Sequence, residues 1–236
     1  MNLTKITDAL VADLGQLTFG PPVTHVYNPL EYARPAYDHY LARYAGTTKE
    51  IILLGMNPGP WGMAQTGVPF GEIDMVKTWL GIQAKVSRPD GEHPKRPVMG
   101  FDCTRSEVSG KRLWGWVQET FETPDRFFRR YFVANYCPLM FMEESGRNRT
   151  PNNLRAAERK PLLAACDRAL VRTVRQLSPQ YVIGVGRFAA DRARTALGGL
   201  DVKIARISHP SPANPKANRG WARLIRTELS DMGIRL

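Results

Sequence analysis

The run Ile51-Ile52-Leu53-Leu54, opening directly onto a glycine- and proline-rich stretch, leaves this chain few architectures to choose from. Aliphatic side chains in unbroken series, with no polar alternation, suit a strand covered on both faces, the usual setting of a parallel sheet. Residues 55–71 follow as GMNPGPWGMAQTGVPFG, with five glycines and three prolines in 17 residues. Glycine lets a backbone come close to a ligand and proline stiffens the approach. An irregular stretch of this length inside a domain is generally functional or disordered, and Met56, Trp61, Met63, Val68 and Phe70 argue against disorder. In an open α/β sheet ligands bind beyond the carboxyl ends of the strands, where this loop would stand.

Apolar runs at 131–137, 181–186 and 202–208 read as three further strands after the first, at 50–56. Helical periodicity covers 3–14, 33–44, 111–121, 153–177, 187–197 and 221–232, with a short helix at 74–82. Residues 86–110, with basic Arg88, Lys95 and Arg96 expected at the surface, read as loop, as do 142–153 and the Pro-rich 209–220. Strands separated by helices imply a four-stranded parallel sheet with right-handed crossovers, in one α/β domain over 1–236.

Thirty-three basic against 22 acidic residues leave a net charge of +11. Such an excess points to a polyanion such as nucleic acid, or to a solvated arginine-rich face. Three widely spaced cysteines without a CxxC pair exclude a four-cysteine zinc or iron–sulfur site and suggest a reducing, cytoplasmic setting. No apolar run approaches the ~20 residues of a membrane span. GxSxG, HExxH and Walker motifs do not occur, and Gly184-Val185-Gly186 is only a fragment of a dinucleotide fingerprint.

Asn57 follows the first strand, Asn135 lies near the end of the second, and His209 follows the fourth. Singly, each has a structural use: a turn cap, a partner for stray backbone groups, a histidine bonded to a carbonyl. Together, at equivalent strand ends, they form a candidate site. Phe70, in a loop, either plugs the loop onto the core or offers a face on which a nucleobase stacks. Glu72 and Asp74 suit the charge preference of a helix start.

Three ordered segments, 55–71, NYCPL at 135–139 and HPSPANPKANRGW at 209–221, resemble the single-strand-selective monofunctional uracil-DNA glycosylases. SEVSGKRLWG at 106–115 and GVGR at 184–187 extend the similarity over nearly all of the chain after Glu50, and the sequence is identified as a bacterial member. The resemblance implies an α/β/α sandwich around a four-stranded parallel sheet. It implies that Asn57 positions the attacking water, Gly59 and Met63 bound the space at uracil C5, Phe70 stacks, Asn135 reads the base edge, and His209 stabilises the departing base. DNA contacts fall on Gln65 and on the wedge loop through Ser211, Pro212, Ala213, Lys216, Asn218 and Arg219. Where some members carry arginine at the wedge tip this chain has Ala213, which lowers the expected efficiency on duplex DNA. Trp61 stands where other members have phenylalanine. The implied activity is hydrolysis of the uracil N-glycosidic bond without strand cleavage. 5-Hydroxymethyluracil and xanthine are further implied substrates, with DNA as partner, no cofactor or metal, and a monomeric protein. The alternatives are a nucleic-acid-binding module of the same fold without catalysis, and a small-molecule enzyme holding a nucleotide cofactor at Gly184 and Gly186.

Overall fold

Asn2 opens the first helix by accepting the Lys5 N–H, and Leu3, Ile6 and Leu14 turn one face of α1 (Leu3–Gly15) into the core. The computed structural model, which describes residues 2–236, continues with β1 (His25–Tyr27), α2 (Arg34–Tyr44) and β2 (Ile51–Gly55). Then come α3 (Val108–Phe121), β3 (Tyr131–Asn135), β4 (Met140–Met142), β5 (Asn148–Arg149) and α4 (Ala156–Leu177). The chain closes with β6 (Tyr181–Val185), α5 (Arg187–Leu197), β7 (Lys203–Ile207) and α6 (Trp221–Asp231).

Four strands form the expected parallel sheet, in the order β3-β2-β6-β7. Every residue of β2 is buried, so both faces of the sheet are covered. Helix α4 packs against both α1 and α5, and α3 packs on α6, giving the α/β/α sandwich. Gly184 permits the tight fit of α5 on β6, since a Cβ there would lie 2.2 Å from the Ala190 nitrogen. Close strand–helix packing therefore accounts for this glycine without a cofactor.

A second, antiparallel sheet, β1-β4-β5, was not expected, and β5 with the end of β4 falls inside the predicted loop at 142–153. Strands of two or three residues are too short for alternation to register, and their partners lie far away in sequence, as in His25 opposite Met142. Helix α3 begins three residues before the predicted start, because Ser109 and Gly110 read as loop. Gly110 serves contact instead: a Cβ there would meet the Phe70 carbonyl at 2.2 Å. Residues 75–79 form a π-helical turn within the predicted short helix, and Pro151–Asn153 make a 3-10 turn before α4.

Register delivers the polar residues to one edge. Gly55 pairs with Asn135 at the last rung of β2 and β3, and Val185 with Ile207 at the last rung of β6 and β7. The chain beyond each of these rungs, carrying Asn57, Gly186 and His209, leaves the sheet on the same side.

Candidate active site

Gly55 is the tightest point of this edge. A Cβ there would sit 2.3 Å from Asn135 Oδ1 and 2.7 Å from Phe70 Cε2, so only glycine lets the amide and the ring close over the strand end. Asn135 Nδ2 donates to Met63 Sδ at 3.2 Å, which sets the amide against the buried helical turn Met63–Thr66. Phe70 adopts φ +52, a left-handed conformation that costs a side-chain-bearing residue about 1–3 kcal/mol. Two donors hold it there through its carbonyl, Trp114 Nε1 at 3.0 Å and the Glu72 N–H at 2.7 Å. Phe70 packs into the core and also lines the cavity.

Asn57 donates its Nδ2 to the Leu139 carbonyl at 3.2 Å, with the Pro58 carbonyl at 3.5 Å, leaving Oδ1 free to accept from a further donor. His209 is locked from several sides. Its Nδ1 accepts the Ser211 N–H at 3.0 Å, so the ring proton of the neutral imidazole resides on Nε2. Glu228 accepts both the N–H and the hydroxyl of Ser208, Trp221 Nε1 donates to the Ser208 carbonyl, and Asn214 Nδ2 donates to the His209 carbonyl. Gly186, at φ +93, places its backbone against the imidazole, where a Cβ would come within 3.4 Å of His209 Cβ and Cδ2. Burial lowers the His209 pKa, which favours the neutral ring.

These groups share one cavity of about 220 Å³, lined among others by Asn57, Gly59, Met63, Phe70, Asn135 and His209. A neighbouring open cavity of about 460 Å³ also touches His209 and carries Arg187, Arg206 and Lys216 on its walls, beside Glu228 and Asp231. The carboxylate of Glu228 is already committed to Ser208, which leaves cations in excess along that rim. Among the described residues no group of three or more His, Cys, Asp or Glu side chains is arranged to hold a metal ion. No helix among them is long and apolar enough to cross a membrane.

An amide with a free oxygen, a neutral imidazole donor, a ring and a second amide thus surround one small cavity. Residues 43–227 fit the model of the uracil DNA glycosylase superfamily. The rat single-strand selective monofunctional uracil-DNA glycosylase is 51% identical over 227 residues, covering 95% of this chain and 82% of the rat protein. The mouse and bovine proteins of the same description are 50% and 49% identical, at 95% and 94% of this chain and 81% and 82% of their own. This chain belongs to the uracil DNA glycosylase superfamily. A crystal structure of SMUG2 from Pedobacter heparinus shares the fold, with a TM-score of 0.67 at 15% identity over 97% of both chains. The mammalian relatives lend no support to the expected bacterial source.

Within this superfamily member, two residues expected at DNA are braces of the loops. Gln65 is 1% exposed and fully engaged: Nε2 donates to the carbonyls of Pro60 and Pro97, and Oε1 accepts the Met99 N–H. It braces the glycine-rich loop from inside, out of reach of a nucleic acid. Asn218 is exposed, yet its amide joins Arg112 Nη2 to the Pro212 carbonyl, so it too is a brace. Ser211 lines the cavity, and its hydroxyl accepts the Ala213 N–H. Pro212, Ala213, Lys216 and Arg219 are exposed on the loop that follows His209.

Arg112, which the sequence did not single out, ties that loop to α3 through the Pro210 carbonyl (2.8 Å) and Asn218 (2.9 Å). Arg112→Ala is expected to loosen residues 210–219, seen as faster hydrogen exchange there and weaker DNA binding in a gel-shift titration. Thermal stability should shift by only about 1 kcal/mol, the scale of partly exposed hydrogen bonds. Unchanged exchange in the loop would remove this role.

Four polar lining residues were also missed: Glu107, Ser109, Asn148 and Thr150. Asn148 and Thr150 belong to or follow β5, in a stretch read as loop. Glu107 sits at the start of α3 in a stretch with no apolar period, so nothing local marked it. Its carboxyl pKa is raised to about 7, first by burial and then by the charge of Glu72. The Gly110 amide faces the carboxyl without completing a hydrogen bond and offsets only part of the rise. Glu72 itself accepts the Met75 N–H and the Ser106 hydroxyl, in keeping with its place at a helix start.

Proposed function

We propose that this chain is a monofunctional DNA glycosylase that flips uracil out of DNA and hydrolyses its N-glycosidic bond, leaving an abasic site. One observation carries the reading: Asn57 and His209, far apart in the chain, open on the same small cavity as Phe70 and Asn135. The free Oδ1 of Asn57 accepts a hydrogen bond from water and aims it at the sugar C1′. A carboxamide cannot take the proton as a carboxylate would, so bond breaking runs ahead of attack and Asn57 contributes orientation.

Negative charge then gathers on the departing base, where the His209 Nε2–H meets O2 as an oxyanion-type donor. Phe70 stacks on the flipped base. Asn135 turns its amide from Met63 to the base, offering N–H to O4 and accepting N3–H, a pattern that cytosine inverts. A buried amide left unmatched rejects the wrong base strongly. Gly59 and Met63 bound the C5 side, which admits 5-hydroxymethyluracil, and xanthine is a further candidate. Arg187, Arg206, Lys216 and Arg219 suit phosphate contacts, and Ala213 adds no side chain to fill a vacated duplex stack. The protein acts as a monomer, without metal or cofactor, in the cytoplasm, where the buried free thiols of Cys103, Cys137 and Cys166 stay reduced.

The test is a panel of single- and double-stranded oligonucleotides carrying uracil, 5-hydroxymethyluracil or xanthine, read by alkaline cleavage of abasic sites. Uracil release is expected, faster from single strands than from duplex, with no adduct trapped by borohydride. Binding without release from any substrate would leave only a nucleic-acid-binding module, and a trapped adduct would overturn the monofunctional assignment.

A further inference from the structure

Glu107 is a buried acid that the proposed hydrolysis does not use. Its Oε2 is sealed from solvent and finds no hydrogen-bond partner among the described residues. Its Oε1 lies 2.7 Å from where a Cβ on Gly59 would begin, and the carboxyl as a whole fills the space that side chains on Gly59 and Gly62 would take. The wall beside Gly59 is therefore a carboxyl group, and Glu107 lines the cavity together with Asn57, Met63 and Asn135. Asn148 on the same cavity has a second orphan: its Oδ1 is sealed and unpartnered, while Nδ2 reaches only the Pro58 carbonyl at 3.4 Å. Buried polar groups are nearly always paired, yet Glu107 and Asn148 stand on the wall of one small cavity with hydrogen-bonding capacity that the protein itself leaves unused.

We propose that the Glu107 carboxyl is the specificity-determining group for the C5 position, hydrogen-bonding a polar C5 substituent of the flipped uracil and finding no match in a methyl group. The inference rests on the glycosylase reading above, in which Asn135 takes the O4 and N3 edge and so turns C5 toward Met63, Gly59 and Glu107. With its pKa raised to about 7 the carboxyl keeps its proton in a sizeable fraction of molecules near neutral pH. An unpaired carbonyl oxygen is tolerated better than an unpaired hydroxyl, so the acid proton belongs on Oε1, toward Gly59, with Oε2 as the carbonyl end. Oε1 then donates to a hydroxymethyl or formyl oxygen. A thymine methyl offers neither donor nor acceptor and would leave that hydroxyl unpaired, which disfavours binding.

The experiment measures single-turnover release of 5-hydroxymethyluracil and of uracil from the same single-stranded sequence, by the wild type, Glu107→Ala and Glu107→Gln. The ratio of the two rates is expected to fall about tenfold in Glu107→Ala, the scale of one hydrogen bond of about 1.4 kcal/mol. Glu107→Gln, equal in size and able to donate, should recover most of that ratio. If the alanine variant does not fold, Glu107→Met tests the same loss at nearly constant volume. An unchanged ratio, or equal losses on both bases, would overturn the proposal. Absence of uracil release by the wild type would instead defeat the glycosylase reading, so the two failures are told apart.

Discussion

Replacing His209 with alanine is expected to slow single-turnover uracil release by roughly 10²–10³-fold, about 3–4 kcal/mol, while affinity for DNA survives. The size follows from the state in which the fold holds the ring. Ser211 N–H occupies Nδ1, so the one proton of the neutral imidazole sits on Nε2, ready as a donor. Ser208 and Asn214 fix the backbone on either side, so little reorganisation is needed when charge appears on the base. Burial depresses the histidine pKa, and the sign of the linked stability follows. Between the lowered folded value and the ordinary ~6.5 the unfolded chain holds the extra proton. The His209 contribution to stability is therefore complete above that ordinary value and lost as pH falls toward the folded one. Unchanged release by His209→Ala in single-turnover assays would remove the residue from the mechanism.

The second large effect is expected from Gly55→Ala, a change of one methyl group with no polar atom involved. The added Cβ meets Asn135 Oδ1 at 2.3 Å and the Phe70 ring at 2.7 Å, and neither neighbour can retreat freely. Phe70 is held at φ +52 through its carbonyl, and Asn135 sits on the last rung of the sheet. Overpacking of this kind costs about 1–3 kcal/mol in stability. Displacing the Phe70 ring and the Asn135 amide by about 1 Å should lower uracil release about 100-fold. Chemical denaturation and single-turnover release, measured on the same preparation, check both parts. A variant that loses stability but keeps its rate would show that the ring and amide tolerate displacement.

Most of the site was legible because parallel strands end together. Once 50–56, 131–137 and 202–208 were read as strands of one parallel sheet, Asn57, Asn135 and His209 had to emerge at its carboxyl edge. Glu107 was not legible, since its burial comes from glycines 59 and 62, far from it in the chain, whose missing side chains admit its carboxyl. Gln65 misled for the opposite reason: a polar residue in a functional loop reads as a contact, and only packing shows all of its amide atoms consumed internally. The β1-β4-β5 sheet stayed hidden because two- and three-residue strands draw their pairing from distant partners.

Residue type and spacing alone determined the alternation of strands and helices, the excess of positive charge, and which amides and which imidazole stand at the sheet edge, because these depend on local periodicity. Tertiary structure alone decided which nitrogen of His209 keeps its proton, that the Asn57 Oδ1 stays free, and that the Glu107 pKa is raised. Desolvation and hydrogen bonding depend on what the rest of the chain brings within a few ångströms, and no local pattern encodes that.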